Sequence, residues 1–208
     1  YTGDPKVSAK IFQSLVEIAL IYRSRGDSKS EFKEWQNIVA SFGKGGFERN
    51  GGPEATAAAQ AEYWLMEPRY SAYLKTKLTE NKKLSPSKRM TDLQKQVVSM
   101  VDDATGKMTK VKDPATGQMV EKRVGGLYND YVSNVAVYGS RNWSYAAFLS
   151  RAQVLTHLAR TIYDAPRPAD LTEDEEMAYE EVLEKIGGQI ENRAIMSLEA
   201  AMKDAIAK

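Results

Sequence analysis

The chain has 208 residues, 42% of them hydrophobic and 27% charged, a composition typical of a globular protein of one or two domains. Its 29 Lys and Arg residues nearly balance 28 Asp and Glu residues, and the formal charge of +1 argues against a dedicated nucleic-acid binder. The lack of cysteine excludes disulfides and cysteine-ligated metals, and the single histidine, His157, makes a Ser-His-Asp triad or a histidine-rich metal site hard to build. No run of eighteen apolar residues without charge occurs, so no membrane-spanning helix is predicted.

Apolar residues at helical spacing predict two helices before residue 45. The first helix, 7–25, is expected to bury a stripe formed by Val7, Ile11, Leu15, Ile18 and Tyr22 and widened by Phe12, Val16 and Ala19. Ser28 and Glu31 have the spacing of a capping box that would begin the second helix. Its buried face is predicted to consist of Phe32, Trp35, Val39 and Phe42. A turn at Gly26 joins the two helices, which indicates an antiparallel helical hairpin.

The pattern of the next segment predicts further helices with interruptions. A helix is expected at 54–66, and Pro68 is expected to interrupt it before the helical pattern continues to Thr79. Ser85 and Pro86 then mark the start of another helix, which ends near residue 102.

The C-terminal part also shows helical periodicity. Helices are predicted at 127–138 and 143–163, and Thr172 with Glu175 forms a capping-box pattern that opens a long final helical region. Gly187 and Gly188 are expected to divide that region into two arms or to bend it.

Between the helical parts, residues 103–126 contain few large apolar residues and carry Ala-Thr-Gly twice. This segment is interpreted as a short hairpin-like or mobile insertion. The predicted organisation is therefore all-α, with N-terminal helical hairpins at 1–102, the insertion at 103–126, and C-terminal helical hairpins at 127–208 on the same solenoid.

One pattern occurs twice in the chain. Aromatic, valine and glycine positions of 32–43 match those of 128–139, and such self-similarity in a helical chain is typical of stacked repeats. The first hairpin, with Leu20-Ile21-Tyr22 followed by Gly26-Asp27, resembles a tetratricopeptide repeat. The resemblance implies a tetratricopeptide-like helical-hairpin solenoid, in which neighbouring hairpins complete one core.

The C-terminal half carries a more particular resemblance. Trp143-x-x-Ala146-Ala147-x-x-x-Arg151, Ala165-Pro166-x-Pro168 and Tyr179-x-x-x-Leu183 resemble divergent repeats of deltaproteobacterial, chiefly myxobacterial, envelope proteins. Some of those proteins belong to the adventurous gliding-motility machinery. The resemblance implies a periplasmic or envelope-associated chain whose partners are other proteins of an envelope complex; a cytoplasmic location stays open.

Opposite charges are concentrated in two blocks. Residues 70–125 hold twelve Lys or Arg and six Asp or Glu, for a local charge of +6, whereas residues 170–191 hold nine acids and one lysine, for −8. Both counts are also expected of solvated helix surfaces. As a functional hypothesis, the blocks allow copies of the chain to associate through opposite charges.

Aromatic side chains are the leading candidates for partner binding. Solenoids bind helices or extended peptides along a concave face, and aromatic residues are common anchors there. The candidates are Tyr63, Trp64, Tyr70, Tyr73, Trp143 and Tyr145, and packing in the core is the alternative for each of them. His157 is interpreted as structural.

These observations predict a non-catalytic protein-interaction scaffold of a bacterial envelope complex, without cofactor, metal or nucleic acid. The alternative is a helical module that binds a polyanionic or cell-wall polymer through its basic middle segment. An enzyme ranks third, because His157 is the only conventional base at neutral pH.

Overall fold

The computed structural model describes residues 5–114, 116–169 and 171–206. The chain is 73% helical, which confirms the all-α class, with one small sheet added. The elements are α1 (Pro5–Ser24), α2 (Ser28–Gly45), α3 (Pro53–Tyr73), α4 (Pro86–Thr105), β1 (Lys107–Lys112), β2 (Met119–Val124), α5 (Leu127–Asp130), a π-helical turn (Tyr131–Val135), a 3-10 turn (Ala136–Tyr138), α6 (Arg141–Tyr163) and α7 (Glu173–Ile206). The tetratricopeptide-like solenoid arrangement stays a prediction.

The chain forms two compact units, each discontinuous in sequence. Unit 1 comprises Tyr1–Tyr70 with Asp130–Leu149, and unit 2 comprises Ser71–Asn129 with Ser150–Lys208. The division therefore falls inside helices α3, α5 and α6. The division predicted from the sequence, into residues 1–102, 103–126 and 127–208, stays a prediction.

Helices α1 and α2 form the predicted antiparallel hairpin, but α2 has a different cap. Gly26 takes a positive φ of 72° in the turn, and the Asp27 carboxylate accepts a hydrogen bond from the Ser30 N–H at 3.1 Å. The predicted Ser28–Glu31 capping box is wrong, because Asp27 supplies the cap and the Glu31 carboxylate accepts from Arg23 Nε at 2.7 Å and Trp35 Nε1 at 3.0 Å.

In the predicted buried stripe of α1, Phe12 and Ala19 are buried as expected, but the central positions are wrong. Val7, Ile11 and Ile18 are exposed, whereas Ser8, Phe12 and Ala19 on a neighbouring face are buried. Phe12 sets this rotation, since its ring packs edge-to-face on Phe47 with centroids 5.3 Å apart.

The buried face of α2 follows the prediction in part. Trp35 and Phe42 are buried as expected, and Ile38 joins them. Phe32 is exposed and Val39 is only half-buried, so the core-facing side is turned toward Ile38.

Helix α3 continues through Pro68, contrary to the predicted interruption. A proline removes one helical hydrogen bond, but buried residues on both sides, Met66 and Tyr73, keep this helix packed. Helix α4 begins at Pro86, as predicted, with Ser85 in extended conformation at the N-cap.

The predicted insertion at 103–126 contains a β-hairpin, which confirms the first of its two predicted forms, hairpin-like or mobile. Strands β1 and β2 pair antiparallel from Lys107 opposite Val124 to Lys112 opposite Met119. Two glycines close its base: Gly126 has a φ of 80°, and a Cβ there would lie 2.1 Å from the Gly106 nitrogen.

The two copies of the repeated sequence pattern do not fold into the same kind of helix. Residues 32–43 lie in the regular helix α2, whereas 128–139 pass from α5 through a π-helical and a 3-10 turn. The matched aromatics Phe42 and Tyr138 instead contact each other edge-to-face, with centroids 5.0 Å apart. The segments 32–43 and 128–139 are therefore in contact near their C-terminal ends, and this contact lies in unit 1.

Helix α7 continues through Gly187 and Gly188 as one helix, so the predicted division into two arms is wrong. A Cβ on Gly187 would lie 2.7 Å from the Tyr163 ring, which shows that the glycine lets α6 approach closely. The predicted capping box at the start of α7 is confirmed: Thr172 N–H donates to Glu175 at 3.0 Å and Glu175 N–H donates to Thr172 Oγ1 at 3.3 Å.

Candidate functional site

Four of the six predicted binding aromatics form one cluster in unit 1. Tyr63 lies at its centre, with ring centroids 5.4 Å from Trp64, 5.2 Å from Trp143 and 5.7 Å from Tyr131. Tyr70 packs edge-to-face on Tyr131 at 6.1 Å. Tyr131 is fully buried and the four predicted residues are half-buried, so they form the border of the unit 1 core.

A cation covers one side of this aromatic cluster. The Arg23 guanidinium lies 3.4 Å from the centroid of Trp64, and its salt bridge to Glu31 holds it there. Burial raises the pKa of Tyr70, and the nearby Tyr63 and Glu67 add to the shift. The aromatics are thus engaged with each other and with Arg23.

Tyr73 and Tyr145 lie apart from the cluster. Tyr73 is buried in unit 2, where its hydroxyl donates to the Val154 carbonyl at 3.3 Å and its ring meets His157 edge-to-face at 5.2 Å. Tyr145 accepts a hydrogen bond from Arg141 Nε at 3.3 Å. His157 Nε2 is buried without a hydrogen-bond partner among the described residues.

An open apolar groove in unit 2 was missed by the sequence-based predictions. It encloses about 680 Å³ between α4 and α7. Leu93, Val97, Tyr179 and Leu183 are buried at its base, and the Tyr179 hydroxyl donates to the Pro166 carbonyl at 3.1 Å. Burial raises the pKa of Tyr179.

The upper walls of the groove expose aliphatic side chains. Val98 on α4 is 60% exposed and Val182 on α7 is 45% exposed, and both line the groove. An apolar surface of this kind, continuous with a buried base, is typical of a binding site for another apolar surface.

Glu175 is the one charged side chain among the described residues that line the groove. Its carboxylate accepts hydrogen bonds from the backbone N–H and the hydroxyl of Thr172, and these bonds lower its pKa below the ordinary value of 4.5. It shares the first turn of α7 with Glu173, Asp174 and Glu176. One end of the groove is therefore negatively charged at neutral pH.

The charge on Glu175 gives a prediction for acid unfolding. A lowered carboxyl pKa contributes stability that is present above the unfolded pKa and is lost as pH falls through the folded pKa. We expect wild type to unfold at a higher temperature than Glu175→Gln at pH 7, and the difference to shrink below pH 4.5. Circular dichroism melts of both proteins from pH 7 to pH 3 measure it, and a difference that is independent of pH contradicts the prediction.

The two predicted charge blocks lie on neighbouring helices. The +6 block includes α4 and the −8 block includes the first half of α7, so the blocks supply opposite walls of the groove within unit 2. Their pairing between copies of the chain stays a prediction. In the sequence, Val98 and Val182 extend the apolar stripes of their helices beyond what a buried face needs, which is a signal for exposed apolar surface on α4 and α7 but not for their pairing.

Searches found no family model, curated protein or solved structure that matches the chain. Within the described ranges, no helix combines the length and apolar character that crossing a membrane requires.

Proposed function

We propose that the chain is a protein-interaction module that binds an amphipathic helix of a partner protein in the groove between α4 and α7. The observation that carries the proposal is the open apolar groove with exposed Val98 and Val182 on its two walls. Recognition of a helix in a groove uses this combination of a packed base and apolar walls.

The size of the groove suits a short helix. Its α7 wall extends from Glu175 to Ile186, which at 1.5 Å per residue is roughly 16 Å, or about three helical turns. A partner helix of that length offers three or four apolar side chains on one face.

The charge of the groove specifies the partner further. Ionised Glu175 lies at the end formed by the acidic first turn of α7. A lysine or arginine beside the apolar face of the partner helix complements this end, and electrostatic complementarity of this kind sets orientation more than affinity.

A synthetic helix tests the proposal. The probe is a fluorescent 14-residue peptide with leucines on one face and lysines along one edge. We expect saturable binding in anisotropy titrations, with affinity at least about tenfold lower for a peptide of the same composition whose leucines are spread around the helix. A third peptide with glutamates in place of lysines is expected to bind more weakly than the first at low salt. Equal binding of the shuffled peptide contradicts the proposal.

The setting implied by the resemblance, a scaffold of a bacterial envelope or gliding-motility complex, is part of the proposal and rests on the quoted repeats. The groove is compatible with any compartment.

A polyanion-binding function is the second candidate, and the β-hairpin favours it. Lys107, Lys110, Lys112 and Lys122 are all exposed on its two strands. Titration with dextran sulfate tests this candidate: binding that weakens steeply with salt and is lost when all four lysines become glutamine supports it. Salt-independent binding, or binding that survives the four changes, excludes it.

A further inference from the structure

Helix α1 carries an apolar stripe on its solvent-facing side. Val7, Ile11, Ile18 and Ile21 are each 39–47% exposed, although Phe12 and Ala19 on the adjacent face are fully buried. The helix thus has one apolar face inside unit 1 and a second that faces solvent, and a contiguous exposed stripe of this kind marks an interaction surface.

The spacing of the stripe is that of a two-helix seam. Val7, Ile11, Ser14, Ile18 and Ile21 follow each other at steps of four, three, four and three. A regular 3.5-residue repeat keeps the same side of a helix against a partner helix. Ser14, at the middle of the stripe, is small and allows a close approach.

Two opposite charges flank the stripe on one edge. Lys10 and Glu17 are exposed and seven residues apart, so they occupy the same flanking position in successive repeats. Gln13 Nε2 donates to Glu17 Oε1 at 3.2 Å and holds the carboxylate on this edge. The other edge of the stripe turns toward the buried Ser8, Phe12 and Ala19.

We propose that this stripe, the α1 seam, pairs with the α1 seam of a second copy of the chain in an antiparallel, twofold-symmetric dimer. In one antiparallel register Val7 packs on the partner's Ile18, and Ile11 packs on the partner's Ser14. The same register places Lys10 opposite the partner's Glu17, because equivalent flanking positions meet in antiparallel helix pairs. Symmetry repeats every contact, as an isologous interface requires.

Charge complementarity identifies the occupant. The register shifted by one repeat brings Glu17 against the partner's Glu17, and like charges there are unfavourable. The α1 seam is therefore complementary to itself in one register and repulsive in the next. This contact uses neither the groove of unit 2 nor the two charge blocks, so it stands independently of the proposed function.

Charge reversal tests the dimer with the whole chain. Lys10→Glu places two glutamate pairs across the dimer, and Glu17→Lys places two lysine pairs. We expect wild type to dimerise reversibly in sedimentation-velocity runs across a concentration series, and each variant to dimerise at least about tenfold more weakly at low salt. An equimolar mixture of the two variants is expected to form a mixed dimer about as strongly as wild type dimerises, because both pairs of flanking residues across that dimer have opposite charges.

Two further variants separate the dimer from effects on folding. Lys33→Glu, an exposed change of equal charge on α2, is expected to leave dimerisation unchanged. Ser14→Lys is exposed as well and is expected to abolish the dimer while the circular dichroism melt stays that of wild type. A monomeric wild type at every concentration overturns the proposal. So does a dimer that withstands Ser14→Lys, or a mixture that dimerises no better than the single variants.

Discussion

Replacement of both Val98 and Val182 by glutamate is expected to abolish binding of the leucine–lysine peptide. The two side chains are large apolar parts of the groove walls that are exposed, by 60% and 45%, and each new carboxylate would have to lose its water against the leucines of the peptide. We expect affinity to fall by at least about 1.4 kcal/mol, a factor of ten, with most of the change in the dissociation rate. Anisotropy titration and stopped-flow dissociation measure both quantities.

A single-charge variant outside the groove controls for the effect of an added carboxylate on α7. Met177→Glu lies on the same helix as Val182, is 73% exposed, and does not line the groove. It is expected to keep wild-type affinity. If Met177→Glu weakens binding as much as the double variant, charge rather than the groove explains the loss.

Trp35→Ala is expected to give the largest loss of stability among single changes in unit 1. Trp35 is 1% exposed, donates from Nε1 to Glu31, and lies 5.9 Å from the Arg23 guanidinium that also covers Trp64. Truncation of a buried tryptophan to alanine costs about 3–5 kcal/mol. Urea unfolding followed by circular dichroism measures the change in the free energy of unfolding.

Phe32→Ala on the same helix is the control for Trp35→Ala. Phe32 is 39% exposed, so its truncation is expected to cost about 1 kcal/mol or less. Equal losses for the two variants would show that the buried face of α2 is not centred on Trp35 and Ile38.

Local signals in the sequence predicted much of the secondary structure. The start of α4 at Pro86, the capping box of Thr172 and Glu175, and the hairpin insertion all depend on residues close to one another in the chain. Such signals act through local backbone chemistry, which the sequence displays directly.

The errors arose where tertiary contacts outweigh local pattern. Helix α1 turns Phe12 rather than Ile11 inward, because Phe12 meets Phe47 from a later segment. Gly187 accommodates Tyr163 of α6, a use that no local pattern shows. Periodicity identified an amphipathic helix in α1 but could not tell its inner apolar face from the exposed one.

The candidate site was predicted only in part. The sequence indicated aromatic residues, and the structure brings Tyr63, Trp64, Tyr70 and Trp143 together in unit 1. It could not indicate the groove, because α4 and α7 are separated by about seventy residues of chain and their pairing depends on the fold of unit 2.

The most direct test of the proposed helix-binding groove is amide chemical-shift mapping of the isotope-labelled 208-residue chain titrated with the leucine–lysine peptide. We expect the largest shifts at residues 90–98 of α4 and 175–186 of α7, and none of comparable size in the aromatic cluster of unit 1. Shifts centred elsewhere, or no shifts at saturating peptide, would contradict the assignment of this groove as a helix-binding site.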